Sequence, residues 1–157
     1  MMKILMVCLG NICRSPMADG LLRHKFAENN LNFTVDSAGT SSTHVGQSPD
    51  KRMQKTAHKN GISIENLRAR QFKSSDFQEF DKIFVMDSSN YEDVSKLARS
   101  AEDMQKVDLI LNISYPGEDL TVPDPYFGGE EGFQHVFNLL DEATDVLIQQ
   151  IIDDEKR

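Results

Sequence analysis

Lys3-Ile4-Leu5-Met6-Val7-Cys8-Leu9-Gly10-Asn11-Ile12-Cys13-Arg14-Ser15-Pro16 is the stretch on which the reading of the whole chain turns. Residues 3–7 predict a buried strand, because a continuous apolar run without polar alternation suits a parallel sheet covered on both faces. Ser15-Pro16 predicts that a helix begins at once, with serine capping free amides and proline in the first position, where no donor is lost. Met17, Leu21, Leu22 and Phe26 then recur on one helical face. A strand, a glycine-bearing turn and a helix in immediate succession mark the opening of an α/β domain.

Working outward, a second strand is expected at 33–37, a Gly/Ser/Thr-rich loop at 38–49, and a helix at 49–59 that stops at Gly61. Ser74-Ser75-Asp76 can cap a short helical turn, followed by a third strand at 82–86, a helix at 88–99 and a fourth strand at 107–111. The segment 112–132 carries prolines and glycines and reads as a loop. Phe133, Val136, Phe137, Leu140, Ala143, Leu147 and Ile151 form the stripe of a last helix, and the charged tail 153–157 is expected to fray. The expectation is one three-layer α/β domain over residues 1–157: a four-stranded parallel sheet, helices on both faces, and an anion loop after the first strand.

The net charge of −8 disfavours nonspecific binding to nucleic acid or anionic lipid, so an anionic ligand requires a local positive site. Cys8 and Cys13 are the two cysteines, too few and too close for a secreted disulfide framework, so a reducing, cytoplasmic setting is expected. The apolar run 4–9 is too short for a signal peptide or a membrane span.

Between the first strand and helix, residues 8–15 can aim successive backbone amides into one concavity that suits a phosphate dianion. Gly10 can take positive φ without penalty and Asn11 tolerates it, while Arg14 adds a planar fork matched to phosphate oxygens. Cys8 would lie beneath the phosphorus, where the helix N-terminus and the guanidinium favour the thiolate. Ser15 could both cap the helix and donate to that sulfur. The bland readings are a small buried cysteine at a strand end and a solvated arginine. The coincidence of strand, turn and helix start favours the chemical one.

These residues resemble the signature of the low-molecular-weight protein tyrosine phosphatases, carried here by the run from Val7 to Pro16. Asp36-Ser37-Ala38-Gly39-Thr40, Ala69-Arg70-Gln71, Met86-Asp87-Ser88-Ser89-Asn90 and Asp124-Pro125-Tyr126 resemble the family's later blocks in order, so the likeness spans nearly the whole chain. It implies a phosphotyrosine phosphatase working through phosphocysteine on Cys8, with Arg14 and the amides of Leu9, Gly10, Asn11, Ile12, Cys13 and Ser15 on the phosphate. Asp124, between Pro123 and Pro125, would be general acid and then base. Tyr126 and Phe127 would flank the entrance and stack on a phenyl ring, or else pack the loop onto the core. Asn11 and Ser37 would share a supporting hydrogen-bond network. Cys13 could form a reversible disulfide with the nucleophile or be a packed thiol.

Two positions depart from the pattern: Thr43 stands where many relatives carry an aromatic pocket residue, and Leu67 where some carry a histidine of the supporting network. An arsenate reductase on this fold needs further cysteines, and none follows Cys13. A phosphoarginine phosphatase is nearer, but the resemblance associates that activity with threonine at the position of Ile12. A non-enzymatic phosphate-binding or phosphocarrier module would have no use for Asp124. His24, His44, His58 and His135 show no ligand spacing, and no nucleotide fingerprint occurs, so neither metal nor organic cofactor is expected. The expected partners are phosphotyrosine proteins and inorganic phosphate or related oxyanions, not nucleic acid or membrane.

Overall fold

A computed structural model describes residues 2–156. Four strands, β1 (Lys3–Cys8), β2 (Thr34–Gly39), β3 (Lys82–Val85) and β4 (Val107–Leu109), lie in the order β2-β1-β3-β4. All three pairings are parallel. The central strand alternates its burial between two cores. Ile4, Met6 and Cys8 join one cluster, while Leu5 and Val7 join the other. An uninterrupted apolar run is therefore what this strand needs, since neither face meets water.

The first face is covered by α1 (Arg14–Glu28), α2 (Lys51–Lys59) and α6 (Glu130–Glu155), whose Met17, Leu21, Met53, Phe133, Val136 and Leu140 share one core. The second face carries α3 (Asp76–Glu79), α4 (Ser88–Ser95) and α5 (Ala101–Gln105), contributing Phe77, Val94 and Met104. This is the expected three-layer, doubly wound arrangement. All of the residues assigned to the last helical stripe are buried. The helix continues to Glu155, so 153–155 are helical rather than frayed, and Arg157 lies outside the described residues.

Several local expectations are corrected. Ser15 does not cap α1: Cys13 occupies the cap position without a side-chain bond, and Pro16 falls in the first turn rather than at its first residue. Ser75 likewise makes no cap bond at α3; Asp76 instead accepts from the Lys73 amide at 2.9 Å and pairs with Arg70. β2 reaches Gly39, two residues further than the sequence indicates, because its register against β1 runs on to Cys8. The stretch expected as a fourth strand shortens to Val107–Leu109 and turns into a 3-10 helix, Ile110–Asn112. Helix α5 was not expected. Its signal was legible in Ser100, which caps it by accepting from the Asp103 amide at 3.2 Å. Gly61 does end α2, with φ +79° just past the cap residue Asn60.

Chain direction changes sides between β1, which leads to β2, and β3, which leads to β4. The crevice at the carboxyl ends of these two strands is the place where open parallel sheets bind ligands. Residues 8–15 lie there.

Candidate active site

The turn after β1 is held by Asn11, not Gly10. Asn11 has φ +57°, whereas Gly10 is not among the positive-φ residues. Asn11 is locked there from both ends of its amide: Nδ2 donates to Ser15 Oγ at 2.7 Å, and Oδ1 accepts from the Arg70 amide at 3.0 Å. At Gly10 a Cβ would come within 3.1 Å of the His44 ring, a tight contact that the ring must shift by a few tenths of an ångström to accept. A closer approach to the loop backbone is at Gly39, where a Cβ would meet the Leu9 carbonyl oxygen at 2.8 Å and the Asn11 nitrogen at 3.0 Å. Gly39→Ala is therefore expected to displace the loop and cut kcat/KM by roughly 10- to 100-fold while the protein stays folded. Steady-state kinetics beside a melting curve checks this, and an unchanged kcat/KM would mean that the loop yields without consequence.

Cys8 is 2% exposed, yet it lines a cavity of about 330 Å³ together with Leu9, Gly10, Ile12, Cys13 and Arg14 from the loop. Cys8 thus belongs both to the buried core and to the cavity lining. Asn11 N–H donates to Sγ at 3.3 Å, and Ser15 Oγ lies 3.0 Å from it. Because Ser15 Oγ already accepts from Asn11, its own proton is available, and the sulfur is nearer than the alternative acceptor, the Ala38 carbonyl at 3.4 Å. Burial is the main cause that pushes the Cys13 thiol up, reinforced by the negative charges of Asp50, Cys8 and Asp124. Cys13 is thus a protonated thiol at neutral pH.

Arg14 is buried, and its fork is only partly free. Nη1 donates to Asp87 Oδ2 at 2.7 Å and to the Val122 carbonyl at 3.0 Å, which leaves Nε and Nη2 as the edge for an oxyanion. Asp87 also caps α4 by accepting from the Asn90 amide at 2.8 Å, so one carboxylate ties the arginine to the end of β3. Asp87 is the orienting residue that sequence reasoning left without a role. Its signal was its place at the cap of a helix after a strand.

Val122 is held twice, by Arg14 and by its own amide donating to the Met86 carbonyl at 2.9 Å. This fastening brings the distant loop over the cavity. Asp124 lines it, with Oδ2 3.8 Å from Arg14 Nη2 and Oδ1 accepting from the Tyr126 amide at 3.1 Å. Tyr126 and Phe127 form the outer wall, with ring centroids 5.0 Å apart in an edge-to-face contact. Phe127 is 96% exposed and so presents a bare aromatic face.

Ser41, Thr43 and His44 also line the cavity; the resemblance had put Thr43 at a pocket position, while Ser41 and His44 were not placed in the site by the sequence reading. Thr43 leaves its part of the wall small and polar, its hydroxyl 2.7 Å from that of Ser41. Leu67 packs, partly buried, against the larger core, apolar where a network histidine would be polar. Ser37 is buried in β2 and faces the Asp19 carboxyl, while the bonds of Asn11 run to Ser15 and Arg70. Among the described residues, no direct bond joins Asn11 to Ser37.

A cysteine on the floor, an arginine at its side and a carboxylic acid in the overhanging loop, gathered at the switch point of a parallel sheet, define a class: the cysteine-dependent phosphoric monoester hydrolases. Residues 3–157 match the family model described as low molecular weight phosphotyrosine protein phosphatase. A low molecular weight phosphotyrosine protein phosphatase of Schizosaccharomyces pombe is 43% identical over 134 residues, 83% of this chain and 85% of that protein. The crystal structure of a protein tyrosine phosphatase from Entamoeba histolytica, solved with Hepes in its active site, superposes with a TM-score of 0.91 at 38% identity, covering 99% of both chains. A Drosophila arginine phosphatase superposes with a TM-score of 0.88 at 35% identity, covering 96% of this chain and 98% of that one. The chain belongs to the low molecular weight phosphotyrosine protein phosphatase family.

Proposed function

We propose that this protein hydrolyses phosphotyrosine in protein substrates through a phosphocysteine on Cys8. The observation that carries the reading is the shared cavity: Cys8, Arg14 and Asp124 all line it. In the first half-reaction the Cys8 thiolate attacks phosphorus in line, an S–P bond forms, and the P–O bond to the phenol breaks. Asp124 gives its proton to the departing oxygen. Water then attacks the phosphocysteine, Asp124 takes back a proton, and the S–P bond breaks to release inorganic phosphate. The loop amides, with Nε and Nη2 of Arg14, hold the phosphoryl oxygens throughout. The Ser15 hydroxyl stabilises the sulfur as nucleophile and as leaving group.

Leu9, Ile12, Tyr126 and Phe127 supply apolar surface for an aryl ring, and a flat ring stacks well on the exposed face of Phe127. Asp124 on the same cavity argues against a phosphocarrier, which needs no proton donor. No described helix is long and apolar enough to cross a membrane. The free thiols of Cys8 and Cys13 fit a cytoplasmic setting. Helix α6, from the far end of the chain, packs with α1 in one core, which supports a single domain.

Phosphoarginine is the second substrate to weigh, because a similar fold belongs to an arginine phosphatase. Ile12 is the residue at issue, 8% exposed on the cavity wall. Hydrolysis of phosphotyrosine, phosphoserine and phosphoarginine peptides, measured without metal, is expected to rank phosphotyrosine first. Ile12→Thr is expected to raise the phosphoarginine-to-phosphotyrosine ratio of kcat/KM by roughly tenfold, the scale of one changed pocket group. An unmoved ratio would remove Ile12 as the discriminator.

A further inference from the structure

Helix α2 begins at the phosphate loop: the Asp50 amide, at its cap, donates to the Ile12 carbonyl at 2.8 Å. Lys51–Lys59 contains four Lys and Arg residues and no carboxylate, in a chain of net charge −8. Residues 107–155, which supply the acid loop and α6, contain twelve carboxylates and neither Lys nor Arg. The surroundings of the cavity are therefore electrically two-sided. Arg52, Lys55 and Lys59 follow one another at helical i+3 and i+4 spacing and border one shallow cleft against Glu130, Phe133 and Gln134 of α6. The stripe starts at the rim of the active site, since the Arg52 guanidinium lies 5.4 Å from the centroid of the Tyr126 ring.

We propose that the Arg52–Lys55–Lys59 face of α2 is a docking surface for acidic residues that flank the phosphotyrosine of a protein substrate. The surface has this role only if the cavity takes phosphotyrosine, as read above. From Arg52 to Lys59 the helix rises about 10 Å, at ~1.5 Å per residue. That length accommodates about three residues of extended peptide at ~3.3 Å each. Tyr126 lines the cavity and Arg52 lies against its ring, so a peptide that leaves the cavity past Tyr126 meets Arg52 first. Internal carboxylates already show how the face treats such groups. Asp50 accepts from Arg52 at 2.8 Å and Glu130 from Lys55 at 3.0 Å. The Lys55 hydrogen bond, then the charges of Lys55 and Lys59, hold the Glu130 carboxyl below its ordinary range. Lys51 and Lys59 form no ion pair with any described residue and are open to an incoming carboxylate.

The test compares two phosphotyrosine peptides that differ only in having glutamate or glutamine on either side of the phosphotyrosine, with p-nitrophenyl phosphate as a substrate too small to reach α2. The unaltered protein is expected to favour the glutamate peptide in kcat/KM by about tenfold at low salt, the size of a few exposed ion pairs acting together. The K55E/K59E double variant is expected to lose that advantage while turnover of p-nitrophenyl phosphate stays within about twofold, because exposed rim charges act at long range on encounter. Equal rates on the two peptides, or an advantage that survives in K55E/K59E, would overturn the docking surface. Failure of the unaltered protein to hydrolyse p-nitrophenyl phosphate would instead remove the phosphatase reading, and is recognisable as a separate result.

Discussion

Replacing Cys8 by serine is expected to lower turnover of aryl phosphates by at least about 10⁴-fold, the scale seen when a covalent nucleophile is removed. The change deletes the attacking atom and little else. Serine is close in volume, and the site that would receive it is already built to bond a group at that place, with Asn11 N–H at 3.3 Å and Ser15 Oγ at 3.0 Å from the present sulfur. Binding of inorganic phosphate or vanadate to the variant should therefore persist, since the loop amides and Arg14 are untouched. Residual hydrolysis comparable to that of the unaltered protein would mean that another group attacks phosphorus, and the assignment of Cys8 would fall. Trapping of labelled phosphate on the protein after acid quench supplies the complementary measurement: label should appear on the unaltered chain and be missing from Cys8→Ser.

The second large effect belongs to Asp124. Asp124→Ala is expected to slow hydrolysis of phosphotyrosine by roughly 10²- to 10⁴-fold, the usual contribution of a positioned proton donor. The loss should shrink as the leaving phenol becomes more acidic, because a better leaving group needs less protonation. Inhibition by phosphate should remain or strengthen, since removal of a carboxylate 3.8 Å from Arg14 Nη2 leaves that guanidinium more available. A purely structural role would give the same deficit with every leaving group. Equal turnover in the two proteins would reject the general-acid role and restore the phosphate-binding module as a reading.

How the site is supported explains why those two effects should dominate. Arg14 spends Nη1 on Asp87 and Val122, so its position depends on the end of β3 and on the acid loop at once. The loop's left-handed residue depends on Arg70, fifty-nine residues away. Displacing such supports moves several groups by small amounts, whereas deleting Cys8 or Asp124 removes a chemical step.

The loop motif and its flanking strand and helix were legible because the information is local: an apolar run with no alternation, a turn containing Gly10 and Asn11, and Ser15-Pro16 lie within one short span. The acid loop was legible only through the tripeptide Asp124-Pro125-Tyr126 and its resemblance to known relatives. What misled was a side chain with two possible bonds. Ser15 by itself predicts a helix cap, but in the fold its oxygen accepts from Asn11 and its proton faces Cys8, so the tertiary contact displaces the local one. Gly10 by itself predicts positive φ, but Asn11 takes that conformation because its amide is bonded at both ends.

By itself, then, the order of residues determined the strand–loop–helix unit and the alternation of strands with helices, since backbone propensity and apolar period act over a few residues, and it placed the candidate nucleophile and arginine in one loop. Only the tertiary structure decided that Asp87 orients Arg14, that Val122 hangs the acid loop between Arg14 and Met86, and that Ser41, Thr43 and His44 line one cavity with Tyr126 and Phe127. Those relations join residues from the ends of different strands, and parallel pairing of β1 with β2 and β3 is what sets their distances. No local preference carries that register.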